Sequence, residues 1–134
     1  MIVVDTNIIG YLFLSAERSN QAESALRRDS EWNAPLLWRS EMRNVLVNYM
    51  RKGRLSLEDS LEIMDAASEL MRGGEFEVTN LDVLGFASRS KLSAYDCEFV
   101  VLAHDLDVPL VTVDKQILSE YPQTAISLMA FAGS

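Results

Sequence analysis

Met1-Ile2-Val3-Val4-Asp5-Thr6-Asn7 opens the chain with a short apolar run that stops at an acid, a hydroxyl and an amide. A β-branched run of this kind reads as a buried strand, and Asp5-Thr6-Asn7 supplies the side chains that start a helix. The next apolar residues, Ile8 to Leu14, are predicted to be that helix, and Ser19 to Arg28 a second one with Ala22, Ala25 and Leu26 inward. Ala34-Pro35-Leu36-Leu37 is predicted as the second strand. From Arg39 to Arg51, the residues Met42, Val45, Leu46, Tyr49 and Met50 recur at the spacing of a helix that buries one stripe. Gly53 stops it.

The same rhythm continues to the end of the chain. Ser56-Leu57-Glu58-Asp59 has the form of a capping box, opening a helix with Leu57, Leu61, Met64, Leu70 and Met71 that ends at Gly73-Gly74. Phe76-Glu77-Val78 is a short strand candidate, followed by a helix from Leu81 to Ser90 and another from Ser93 to Leu106 with Tyr95, Phe99, Leu102, Ala103 and Leu106 inward. Pro109 to Val113 is a strand that ends at Asp114, Ile117-Leu118 begins a short helix, and Ala125 to Met129 supplies a last strand. Strands that are apolar throughout and alternate with helices predict an α/β fold with a mostly parallel sheet covered on both faces. No linker or repeat interrupts residues 1–134, so one domain is expected. In such sheets ligands sit beyond the carboxyl ends of the strands, where strand order reverses.

Composition narrows the function. Twelve Lys and Arg against twenty Asp and Glu give a net charge of −8, which argues against a general nucleic-acid coat or an anionic-membrane binder. One cysteine, Cys97, and one histidine, His104, cannot assemble a Cys/His zinc site, and Cys97 has no internal disulfide partner. A reducing compartment fits. Ile8 to Ala16 is short, follows Asp5 and lacks a basic leader, so neither a signal peptide nor a membrane span is expected, and the location expected is the cytoplasm.

Four acids stand out by position: Asp5 after the first strand, Glu41 at the start of the third helix, Asp96 at the start of the sixth and Asp114 after the fourth strand. Only the fold could gather them. Carboxylates about 5 Å apart repel by roughly 3 kcal/mol at an effective dielectric near 20, and a cation relieves that cost. An oxygen-only set selects a hard ion, with Mg²⁺ or Mn²⁺ the usual occupant. Each acid also sits where helix N-termini favour a negative side chain, and Ser93-Ala94-Tyr95-Asp96 has the pattern of a capping box. The two roles are compatible, because a helix N-terminus beneath a carboxylate helps keep it ionised. Cys97 and His104 lie on one helix with no third group to orient the histidine, and both are read as structural. Met42, Met50, Met64 and Met71 are read as core, or as an apolar groove for a partner helix or second subunit.

Val3-Val4-Asp5-Thr6-Asn7, Ser40-Glu41, Tyr95-Asp96-Cys97-Glu98-Phe99-Val100-Val101-Leu102-Ala103 and Val111-Thr112-Val113-Asp114 together resemble the four motifs of PIN domains. Their order and spacing are similar to those of small prokaryotic PIN proteins of the VapC toxin type. The resemblance implies a three-layer α/β/α sandwich and a Mg²⁺- or Mn²⁺-dependent ribonuclease with one or two ions. It also implies an RNA substrate, frequent homodimers and often a cognate antitoxin within a type II toxin–antitoxin pair. Residue by residue, it makes Asp5, Glu41, Asp96 and Asp114 the metal-holding quartet, with Thr6, Asn7 and Thr112 hydrogen-bonded around it. Glu98, two residues beyond Asp96, is expected to point elsewhere.

Four carboxylates repel a phosphate until a divalent cation offsets them, so phosphate is expected to bind after the metal. Arg39 and Arg43, nearest to Glu41, are the phosphate candidates, against a reading as a solvated, salt-bridged helix face. Two other classes compete with this reading. Acyl-phosphate enzymes also keep an aspartate after their first strand, but they want a second acid where Asn7 stands. A catalytically silent PIN-fold interaction module is the alternative that loss of metal binding would favour.

Overall fold

The computed structural model describes residues 1–14 and 17–133. Ser15 and Ala16, at the end of the apolar stretch from Ile8, and the final Ser134 lie outside the described residues. In chain order the elements are β1 (Ile2–Val4), α1 (Thr6–Phe13), α2 (Ser19–Arg28), β2 (Trp32–Pro35), α3 (Leu37–Arg51), α4 (Leu57–Leu70), β3 (Glu75–Phe76) and α5 (Asn80–Ser88). They continue as α6 (Ala94–Leu106), β4 (Leu110–Thr112), α7 (Lys115–Glu120), β5 (Ala125–Ser127) and α8 (Leu128–Ala132).

The five strands form one sheet in the order β3-β2-β1-β4-β5, and every pairing is parallel. β1 is central because Ile2, Val3 and Val4 are all buried, as a strand covered on both faces must be. Val3 lies opposite Asn33 on one side and Leu110 on the other. α6 lies along β1, β2 and β4 and carries α5, whereas α1, α3 and α8 also meet the sheet and carry α2 and α4. This is the three-layer α/β/α sandwich expected from the sequence. The chain runs outward from β1 to β3, then returns to β4 beside β1, so strand order reverses between β1 and β4. Asp5 and Asp114 follow the carboxyl ends of those two strands.

Several boundaries differ from the sequence reading, each for a local reason. The second strand begins at Trp32, two residues before the predicted start, and Leu37 already belongs to α3. Asn33 is tolerated inside it because its amide donates to the carbonyls of Ile2 (3.0 Å) and Glu31 (3.2 Å). β3 is Glu75–Phe76, not Phe76–Val78. Its register is held by Trp38, fully buried, whose indole N–H donates to Glu75 Oε2 at 2.8 Å. β5 stops at Ser127, whose hydroxyl accepts from the Ala130 N–H at 3.1 Å and starts α8 where strand was expected up to Met129. Tyr95 is exposed, not inward, because it stands in the first turn of α6.

Other expectations hold. Both halves of the capping box at Ser56 and Asp59 are present. Cys97 is buried, and His104 packs edge-on against Phe86 with ring centroids 5.4 Å apart. The methionines divide: Met42 and Met71 are fully buried, while Met50 and Met64 line a groove between α3 and α4 with Leu46 and Leu61. Among the described residues no helix is long and apolar enough to cross a membrane.

Candidate functional site

Asp5 leaves β1 in an extended conformation and caps α1, its Oδ1 accepting from the Thr6 N–H at 2.8 Å. Its Oδ2 accepts from the Thr112 hydroxyl at 2.8 Å. Thr112 Oγ1 in turn accepts from the Asp114 N–H at 3.1 Å, so one buried hydroxyl ties the tips of β1 and β4 together. Asp114 caps α7 through Oδ1, which accepts from the Gln116 (2.8 Å) and Ile117 (3.0 Å) N–H groups. The Thr6 hydroxyl donates to Glu41 Oε1 at 2.7 Å and brings α3 to the same edge. Because α3 begins at Leu37, Glu41 stands beyond its first turn and is not a cap. Asp96 is in the first turn of α6, where its own N–H donates to Ser93 Oγ at 3.1 Å.

Electrostatics show the acids as one group. Burial pushes the Asp5 carboxyl up to about 6, with Thr112 and the Thr6 N–H opposing and the charges of Glu41 and Asp96 adding to the rise. Glu41 is raised by burial, against the Thr6 bond, and further by Asp96 and Glu98. Asp96 is raised by burial and then by Asp114. The described ion pairs lie elsewhere, at Met1, Arg39–Glu75 and Arg72–Glu69, with His104 beside Asp105.

Such a set of carboxylate oxygens fits a hard divalent cation in kind. As they stand, however, no three His, Cys, Asp or Glu side chains among the described residues are close enough to cage an ion. The acids form an open rim, and their side chains would have to converge on a cation.

Of the other residues singled out from the sequence, Thr6 and Thr112 both bond to acids, while Asn7 is exposed. Arg39 and Arg43 are not brought to the acids. The Arg39 guanidinium forks onto Glu75, with Nη2 to Oε1 at 2.7 Å, and Arg43 lines the α3–α4 groove. Both occupy the α4 side of α3, whereas Glu41 faces Thr6. Glu98, expected to point elsewhere, lines a separate cavity with Phe76 and Glu77, and its charge adds the smallest of the contributions that raise Glu41. Helix spacing alone separates it from Asp96.

The Thr112 hydroxyl gives a sharp local test. Thr112→Val keeps the shape but leaves Asp5 Oδ2 and the Asp114 N–H each short of a partner, which should cost about 1–3 kcal/mol. Urea unfolding at pH 7 should show it as a lower midpoint with unchanged slope.

Residues 2–122 match the sequence family described as PIN domain. Over 124 residues the chain is 27% identical to Ribonuclease VapC3 of Pyrobaculum aerophilum, covering 90% of this chain and 95% of that protein. Its fold is similar to the crystal structure of PAE2754 from Pyrobaculum aerophilum, with a TM-score of 0.77 at 20% identity over 98% of this chain and 92% of that one.

Proposed function

The chain belongs to the PIN domain family, and from that premise we propose that it is a ribonuclease that hydrolyses RNA phosphodiester bonds with Mg²⁺ or Mn²⁺ at Asp5, Glu41, Asp96 and Asp114. The observation that supports this reading is the hydrogen-bonded chain from Glu41 through Thr6, and from Asp5 through Thr112 to Asp114, at the carboxyl ends of β1 and β4, with the Asp96 charge acting on Asp5 and Glu41. A purely structural set of helix caps gives no reason for Glu41 to join it. When bound, a divalent cation supplies positive charge against the phosphodiester and activates water as the nucleophile.

The chain's own residues prepare the site for that chemistry. Thr6 and Thr112 each hold one oxygen of the Glu41 and Asp5 carboxylates, which orients these two acids while the set converges on a cation. The Gln116 and Ile117 N–H groups at the start of α7 fix the orientation of the Asp114 carboxylate. Burial of Asp5 keeps it partly protonated near pH 6, so the metal-free site is less negative there.

The finer reading is a toxin of a type II pair, working as a homodimer with a cognate antitoxin. The relative Ribonuclease VapC3 bears the VapC name, and the apolar α3–α4 groove with Met50 and Met64 suits a partner helix. A mixed RNA pool tests the core of the reading. Cleavage should require Mn²⁺ or Mg²⁺, stop with EDTA and fall about 100-fold or more in Glu41→Gln, which keeps an acceptor for Thr6. Cleavage that persists in EDTA, or an undiminished Glu41→Gln rate, would contradict it.

A further inference from the structure

Beside the acids, at the carboxyl ends of β2 and β3, lies a cavity of about 420 Å³ that the reaction above does not use. Its apolar wall includes Leu36, Phe76, Val83 and Leu84, and its polar groups are Glu77, Asn80 and Glu98. Leu84 is 65% exposed although apolar, so the wall is open to a ligand. Glu98 belongs to both places: it lines the cavity, and its charge reaches Glu41. The size falls within the roughly 300–1,000 Å³ usual for small-ligand sites, which pair apolar walls with a few placed polar groups.

We propose that this cavity is a nucleobase subsite of the ribonuclease, selecting guanine through the Glu98 carboxylate. The proposal rests on the ribonuclease reading. Neighbouring strands stand about 4.8 Å apart, so the ends of β2 and β3 lie roughly 5 and 10 Å from the end of β1. A phosphate on the acids therefore puts the adjoining base within reach of the cavity. Single-stranded RNA is read by such splayed bases, stacked on apolar or aromatic side chains and bonded along their Watson–Crick edges.

The polar groups decide which base fits. A carboxylate only accepts hydrogen bonds, and it accepts two side by side from a fork of donors. Guanine alone offers that fork, its N1–H beside its N2 amino group. Adenine, cytosine and uracil each offer one donor group next to an acceptor. A second copy of this chain fits the face less well, because a twofold contact would press the Glu77 and Glu98 carboxylates of both copies into one dry interface.

The probe is guanosine, uncharged, so that binding depends on neither a cation nor the acids. In methyl-resolved NMR of the intact protein, guanosine should shift Val83 and Leu84 and bind about tenfold tighter than inosine, which lacks the N2 amino group, or adenosine. Glu98→Gln should erase that preference, and Val83→Trp should fill the cavity and abolish binding. In the parallel assay with Mn²⁺, a single guanosine moved along an oligouridine should move the cleavage position with it.

Equal binding of guanosine and adenosine, or a preference that survives Glu98→Gln, overturns the subsite even if RNA is cleaved. Guanosine preference without metal-dependent cleavage keeps the base pocket and sinks the ribonuclease reading. A dimer that Leu84→Asp dissociates, with no guanosine shift at Val83, assigns the face to a second copy and overturns the proposal.

Discussion

Asp5→Asn should lower RNA cleavage at least about a thousandfold while making the metal-free protein more stable above pH 6. The two effects have one cause, the burial of a carboxylate that needs a cation. Folding raises the Asp5 carboxyl from 3.8 to about 6, so the folded state holds its proton more tightly than the unfolded chain. The stability this gives is fully present below pH 4 and is lost as pH rises through 6, about 3 kcal/mol in all. Asn does not titrate, so the stability difference between variant and wild type isolates the group. In EDTA the wild type should lose stability relative to Asp5→Asn between pH 4 and 7, and Mn²⁺ should restore it at pH 7. One lost bond offsets part of the gain, because an amide cannot accept from both the Thr6 N–H and the Thr112 hydroxyl. Calorimetric melts across that range read the slope, and a parallel pH dependence of the two proteins would contradict the assignment.

Gly74→Ala should be the most damaging single methyl group outside the acids. A Cβ there would fall on the Trp32 carbonyl oxygen, far inside van der Waals contact, and 3.2 Å from Asn33 Oδ1. Neither neighbour can yield cheaply. Trp32 is in β2, and Asn33 is bonded to the carbonyl of Ile2 in the central strand. Gly74 O also accepts from the Ala34 N–H at 2.8 Å, so pushing the two segments apart breaks the β2–β3 register. The expected cost is about 3 kcal/mol or more, lowering Tm by roughly 10 °C. Gly85→Ala is the control: its Cβ meets nothing nearer than Arg89 Nη1 at 3.6 Å, and within α5 it should stabilise by roughly 0.5–1 kcal/mol. If both melt alike, the close approach at Gly74 is not what holds β3.

Local chemistry made much of the fold legible in advance. The β-branched run ending at Asp5, the Ser56–Asp59 box and the apolar length of α6 each announce their element through contacts within a few residues. What the sequence hides is satisfied across long separations. Asn33 looks like an interruption until its amide meets Ile2, and Arg39 looks free for phosphate until Glu75 arrives on a strand 36 residues away. Ser127 ends β5 because its hydroxyl finds the Ala130 N–H, a cap that an apolar stretch conceals.

The candidate site divides in the same way. Asp5 and Asp114 could be placed by topology, since both follow adjacent parallel strands at the point where strand order reverses. Glu41 reaches Thr6 only through the packing of α3 beside α1, which no spacing within the chain encodes. Tyr95 failed as a core residue for a related reason: helix periodicity assumes a covered face, and the first turn of α6 is open.

The most direct test of the central claim is a calorimetric Mn²⁺ titration of the wild type beside Asp96→Asn. The substitution keeps the N–H that donates to Ser93, so the start of α6 survives. The wild type should bind Mn²⁺, and Asp96→Asn should bind it at least tenfold more weakly, a loss of about 1.4 kcal/mol. If neither protein binds, or both bind alike, Asp96 serves only the helix start, and a catalytically silent interaction module replaces the ribonuclease.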